Sequence, residues 1–175
     1  FIPSAEKVCC NFKETFELLP EGKAVLTGTP IRKELFEGSA AKAAEFCGLS
    51  LDKPTILVVG GSSGSVVINN AVRESLDAIL KNYQVIHLCG KNHLDESLKD
   101  KEGYVQFEYI SKELRDLFAL SDLVISRAGA NAMCELLALK KPNILIPLSA
   151  GSRGDQILNA ESFEQQGYSY LLKEE

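Results

Sequence analysis

Short apolar runs alternate with longer helical patterns along most of this chain, and that alternation constrains the fold more than any other feature. The clearest runs are Thr55 to Val59, Gln84 to Leu88, Tyr104 to Phe107, Asp122 to Ser126 and Asn143 to Pro147. Several are apolar on both alternating faces, so they need cover on both sides, as strands of a parallel sheet do. "KAVLT", Lys23 to Thr27, reads as a sixth strand. Between the runs, Ile68, Val72, Leu76, Ile79 and Leu80 share one helical face, and Leu114, Leu117 and Phe118 share another. Met133, Leu136, Leu137 and Lys140 mark a third helix, which Pro142 ends. Ile157, Ala160 and Phe163 mark a fourth, stopped by Gly167, and "AAKAAEF" after Ser39 is helical by propensity. The expected class is α/β: a Rossmann-like parallel sheet with helices on both faces.

In such folds a ligand sits beyond the carboxyl ends of the strands. The unusual stretches fall there. "TGTPIR", "GGSSGS", "EYIS", "RAGANAMCE" and "LSAGSRGDQ" each follow a strand, and are expected along one edge of one sheet. Loops expected at the other edge, such as "LALKKP" and "ILKNY", are plain and charged. Small polar loops are common everywhere, but this asymmetry favours a binding edge.

Other classes fit poorly. A formal charge of −5 argues against a general affinity for nucleic acid or an anionic membrane surface. No run of apolar residues is long enough to span a bilayer, and no signal peptide opens the chain. Five cysteines without a C-x-x-C suggest a reduced, cytoplasmic protein. Two histidines are too few for a typical zinc site, so no metal is expected; His87 reads as a sheet residue and His93 as a surface one. The single methionine is Met133, so the chain is expected to be a piece of a longer protein.

Two loops suit a phosphate. In "GGSSGS", Gly60 and Gly61 permit close approach of the backbone, while Ser62, Ser63 and Ser65 add hydroxyls ahead of a helix start. It is not a nicotinamide fingerprint, a Walker loop or a nucleophile elbow, since the spacings of all three are missing. In "SRAGANAMCE", small residues leave a helix N-terminus nearly bare. Glu135 falls opposite Met133, Leu136 and Leu137 on the helical wheel. It is either a solvated surface residue or a carboxylate for sugar hydroxyls, and the residues alone do not choose. Arg32 is either a surface arginine or an anion ligand stiffened by Pro30. Arg127 has the same two readings, with a structural ion pair favoured.

Taken in order, "TGTPIR", "GGSSGS", "DLVISRAGANAMCE" and "PLSAGSRGDQILNA" resemble the carboxyl-terminal half of the MurG family of GT-B glycosyltransferases. The likeness runs from about Ala24 to Leu172. It implies the donor-binding domain of an enzyme that transfers N-acetylglucosamine from UDP-N-acetylglucosamine to lipid I, giving lipid II in peptidoglycan synthesis. It implies no cofactor and no metal for donor binding. It further implies that Arg32 and Ser62 touch the diphosphate region and that the main chain of Ile110 reads uracil. Ala130, Asn131, Ala132, Met133, Cys134 and Glu135 would hold diphosphate and ribose, with Glu135 on the ribose hydroxyls. Gln156, with Asp155, would hold hydroxyls of the sugar. Asp155 and Ala132 depart from the residues most common in the family.

The same resemblance implies no catalytic residue in this piece. The acceptor lipid, the general base and contact with the cytoplasmic face of the bacterial membrane would belong to a missing amino-terminal domain, and the piece itself would be soluble. Residues 1–22 are expected to form an interdomain linker and entry segment, and 23–175 a donor domain truncated at its carboxyl end. Alternatives are another GT-B protein using UDP-N-acetylglucosamine, such as a split transferase or a UDP-sugar 2-epimerase, or a non-catalytic nucleotide-binding module.

Overall fold

The computed structural model describes residues 2–61, 63–148 and 154–174. The chain forms two compact units, Phe1–Arg32 and Lys33–Glu175. In the first, β1 (Val8–Cys10), α1 (Lys13–Glu17) and β2 (Ala24–Leu26) form a small βαβ arrangement in which β1 and β2 pair in parallel. This corrects one expectation. "KAVLT" does form a strand, but its partner is β1 in a separate two-stranded sheet, so "TGTPIR" does not extend the large sheet's loop edge.

The second unit contains α2 (Ala40–Cys47), β3 (Thr55–Val59), α3 (Val66–Glu74), α4 (Leu76–Ile79), β4 (Gln84–Leu88), β5 (Tyr104–Phe107), α5 (Leu114–Leu120), β6 (Leu123–Ser126), α6 (Ala130–Ala138), β7 (Asn143–Leu145), α7 (Asp155–Gln165) and β8 (Tyr170–Leu171). Its six strands are all parallel, in the order β5-β4-β3-β6-β7-β8. The order reverses between β3 and β6, which makes their junction the switch point of a Rossmann-like sheet.

The apolar pattern places the helices. Ile56, Val58, Val85 and Tyr104 point to one face, where Ile68, Val72 and Leu76 of α3 and α4 cover them. Leu57, Ile86 and Val124, buried to 1% exposure or less, alternate to the other face. There α5 packs on β3, with α2 beside it. Asp116 in α5 accepts from Ser39 N at 2.7 Å, and the Ser39 hydroxyl then caps α2. Ser75 divides the helical run expected to be continuous from Ile68 to Leu80. Met133 and Leu136 are core residues as expected, but Leu137 is 41% exposed because it lies past the edge of the buried stripe. His93 is half-buried, and its carbonyl accepts from Arg73.

His87 is fully buried in β4. Its Nε2 lies 3.0 Å from Asn69 Oδ1, and its Nδ1 lies 2.8 Å from the Tyr104 hydroxyl. The Asn69 amide nitrogen is already committed to Cys89 O at 2.9 Å, so its oxygen faces the ring and Nε2 carries the proton. Tyr104 then donates to Nδ1. Burial pushes its hydroxyl up to about 12, so it remains a donor. Burial, helped by the Arg73 charge, pushes His87 down to about 4. The unfolded chain therefore takes up a proton below about pH 6.5 that the folded chain refuses. Stability from this site is complete above that pH and is lost as the pH falls toward 4. Between pH 7.5 and 5 the loss should be about 2 kcal/mol. Urea unfolding at the two pH values, with His87→Gln as control, checks this. A His87 ring resonance that titrates near pH 6.5 in the folded protein would refute it.

Candidate functional site

The strand ends lie in one row. Phe107 pairs with Leu88, Leu88 with Val59, Val59 with Ser126, Ser126 with Leu145, and Leu145 with Leu171. The loops after β3, β5, β6 and β7 therefore all start at one level and open on the same edge. Only four of the five loops expected there belong to this sheet.

Two helices begin at the switch point. Ser65 caps α3, its hydroxyl accepting from Ile68 N at 3.3 Å. The loop before it is pressed against the end of β4. Gly64 has φ +77°, and a Cβ there would lie 2.0 Å from Cys89 O, while a Cβ on Gly90 would lie 2.5 Å from Gly64 Cα. Only glycine permits this contact. The next helix, α6, starts from Gly129, which has no side chain for a cap and has open space above it. Its first turn carries no acidic residue, so the positive end of the helix dipole is not offset there. Two adjacent helix N-termini on neighbouring strands suit an anion with more than one charged group.

Arg127 ties these elements together. Its Nη2 donates to Ser65 Oγ at 2.6 Å and pairs with Glu174 Oε1 at 2.6 Å. Its Nη1 donates to Ile146 O at 3.1 Å and to Pro147 O at 3.4 Å. Both side chains of the ion pair are only 11% exposed. The expected structural ion pair is thus present. Its partner lies 47 positions away in the sequence, and no local pattern announces it.

The remaining candidates are distributed as follows. Ala130 to Glu135 are the first six residues of α6: Asn131 is exposed, Met133 buried, and Ala130, Ala132, Cys134 and Glu135 half-buried. Ile110 follows β5 and is buried at 9% exposure. It is three strand spacings from β6, roughly 14 Å. Asp155 and Gln156 open α7, one spacing beyond β6 in the other direction. Asp155 is exposed, and Gln156 is half-buried with Oε1 accepting from Leu148 N at 3.1 Å. Gln156 therefore also holds the exit of β7, which leaves its amide nitrogen for another partner. Arg32 is exposed and belongs to the first unit. Ser62, and 149–153 within "LSAGSRGDQ", lie outside the described residues. Among the described residues no cluster of three or more His, Cys, Asp or Glu could hold a metal.

A groove of about 430 Å³ lies at the opposite, amino-terminal edge, lined in part by Ser50, Lys53, Gln84 and Gly103. Lys53 and Gln84 in its wall are engaged with neighbouring groups. Lys53 Nζ donates to Leu80 O at 2.8 Å, and the Gln84 amide serves Ser50, Lys53 and Thr55. It seals the strand starts and is remote from the loop edge.

The family described as the glycosyltransferase family 28 C-terminal domain matches residues 55–175. The chain belongs to this family. Among its relatives, a protein of Lachnoclostridium phytofermentans is 66% identical over 175 residues, and one of Lachnospira eligens is 65% identical over 172. The matches cover 99% and 98% of this chain and 49% of each relative. Both relatives are named UDP-N-acetylglucosamine--N-acetylmuramyl-(pentapeptide) pyrophosphoryl-undecaprenol N-acetylglucosamine transferase. The chain thus spans about half the length of the curated relatives it matches. Its fold is similar to that of the MurG of Acinetobacter baumannii, with a TM-score of 0.69 at 21% identity over 98% of this chain and 48% of that one. A glycosyltransferase of kitacinnamycin gives a TM-score of 0.70 at 15% identity, over 96% and 42%. The expected Rossmann-like sheet and membership of a glycosyltransferase family both stand.

Removing one partner of a poorly hydrated ion pair strands the other, at a cost of about 3–5 kcal/mol. Arg127→Met should destabilise this chain by about that amount. Glu174→Gln keeps a hydrogen-bonding oxygen and should cost about 1–2 kcal/mol. Urea unfolding measures both, and a chain indifferent to Arg127→Met would show that the hub carries no load.

Proposed function

We propose that this chain is the donor-binding half of a transferase that moves N-acetylglucosamine from UDP-N-acetylglucosamine to lipid I, giving lipid II. The observation that carries the reading is the pair of adjacent helix N-termini at the β3–β6 switch point, in a chain 66% identical to a relative of that name. Uracil lies beside the main chain of Ile110 after β5. The diphosphate rests at the starts of α3 and α6, with Ser62 and the Ala130 to Cys134 amides as its ligands. Glu135 accepts from the ribose hydroxyls, and Gln156 with Asp155 holds the sugar near the exit of β7.

The chemistry follows from charge. As the bond between sugar and diphosphate breaks, negative charge gathers on the leaving diphosphate. Fixed amide dipoles aimed at that position stabilise it without reorganising. Binding of UDP by this route does not require a cation. The acceptor lipid, the base that takes its proton and contact with the cytoplasmic membrane face are assigned to the part of the relatives' length that this chain does not cover. No helix among the described residues is long and apolar enough to cross a membrane.

Calorimetric titration tests the reading. UDP and UDP-N-acetylglucosamine should bind, NAD and ATP should not, and UDP binding should survive EDTA. Loss of binding on chelation would require a cation in the site. A hydrogen bond to a charged group is worth roughly 1.5–3 kcal/mol, so Glu135→Ala should weaken UDP by about 10- to 150-fold. The same variant should lose the wild-type preference for UDP over 2′-deoxy-UDP. A preference that survives the substitution would take Glu135 off the ribose.

A further inference from the structure

β4 ends level with its neighbours, Leu88 pairing with Val59 on one side and with Phe107 on the other. The stretch that follows it, Cys89 to Leu94, runs beside the phosphate loop. A Cβ on Gly90 would lie 2.5 Å from Gly64 N and 2.5 Å from Ser63 O, so the backbone there lies against the turn that feeds α3. The next residue is Lys91.

The turn that carries Lys91 is held from several sides. Gly90 N donates to Glu108 O at 3.1 Å, and His93 N returns to Gly90 O at 3.2 Å, with Lys91 and Asn92 between them. Asn92 takes φ +63°, a left-handed conformation that asparagine tolerates better than most residues with a side chain. Its N–H donates to Glu108 Oε1 at 2.6 Å. Arg73 of α3 donates to His93 O, which ties the far end of the turn to the helix that the phosphate loop begins. Lys91 itself is exposed and forms no hydrogen bond or ion pair with any described residue. Along the described residues of 60–65, 89–94 and 126–129, which follow β3, β4 and β6, the charged side chains are Lys91 and Arg127. Arg127 is neutralised by Glu174. Lys91 is the positive side chain there that keeps its charge unmatched.

We propose that Lys91 is an ammonium ligand of the donor's diphosphate, reaching it past Ser63 and Gly64. The inference rests on the donor-binding reading and adds a side chain to it. Helix N-termini offer partial charges. An ammonium adds a full charge, on a flexible stem that can follow the phosphates. An unpaired lysine on a surface is ordinary; this one differs because a pinned turn with a left-handed residue sets it against the phosphate loop.

Calorimetry with UDP on the 175-residue chain tests this. Wild type is compared with Lys91→Arg, Lys91→Met, Lys91→Glu and Lys99→Met, the last removing the same charge from an exposed position further along the same connection. Affinity should follow the charge at position 91: Lys91→Arg within ~3-fold of wild type, Lys91→Met at least ~5-fold weaker, and Lys91→Glu weaker again. Lys99→Met should stay within ~2-fold of wild type. The Lys91→Met loss should shrink at high salt, because an exposed charge contact is screened. None of the variants should move Tm by more than about 2 °C. A wild type that binds UDP beside a Lys91→Met variant that loses less than ~5-fold overturns the inference and leaves the donor-binding reading intact. So does an equal loss in Lys91→Met and Lys91→Glu, a Lys91→Arg no better than Lys91→Met, an equal loss in Lys99→Met, or a loss that comes with a fallen Tm. A wild type that binds no UDP overturns both.

Discussion

The Arg127 guanidinium reaches groups from three other stretches of chain: the cap of α3, the carbonyls after β7 and the carboxylate of Glu174 beyond β8. Arg127 itself leaves the end of β6. Four segments that share no sequence neighbourhood are thus fixed around one planar fork. A lysine could not do this, because a single ammonium cannot present parallel donors to oxygens on two sides. The net stability of such a pair is modest, since both ions give up water. Its effect is on geometry. Any arrangement that parts the partners leaves a poorly hydrated charge, which disfavours separation of the α3 cap, the exit of β7 and the segment after β8 from the end of β6.

That constraint matters because the edge is built from loops and helix starts. The loop before α3 is held by Gly64 and Gly90 in backbone contact, and the entry to α6 is held at the buried Ala128, whose carbonyl accepts from Asn159 Nδ2 at 3.2 Å. Helix dipoles act over short distances and fall off within a turn. Two N-termini cooperate on one anion only if their separation is set, and the Arg127–Ser65 bond couples the strand that feeds α6 to the cap of α3. Below them, the His87–Asn69–Cys89 chain fastens α3 to β4, so the α3 end has support from beneath as well as from the side.

Much of this was legible in the residues. The doubly apolar runs gave the parallel sheet, because a strand such as Thr55 to Val59 can be satisfied only between two helical layers. The small residues of "RAGANAMCE" gave the start of α6, since they leave its amides uncovered. What escaped was long-range. The sheet membership of "KAVLT" depends on β1, a run too short and too rich in cysteine to stand out. The Arg127–Glu174 pair joins residues 47 apart, and neither flank marks the other. Leu137 looked like core because a wheel assigns a face but not the width of the buried stripe. Gln156 carries a backbone tether to Leu148 that its residue type could not reveal.

The level row of strand ends limits how this edge can vary. A strand advances about 3.3 Å per residue and turns its side chains over at each step. Lengthening one strand by a single residue would lift its loop and invert its inward face. Lengthening it by two would keep the faces but raise the loop roughly 6.6 Å above its neighbours, beyond the reach of a guanidinium anchored on the next strand. Insertions are therefore tolerated within the loops and penalised in the strands beneath them. A lineage adapting this edge to a different ligand is confined to exchanging side chains on a fixed baseline, and the baseline itself becomes the most heritable part of the site.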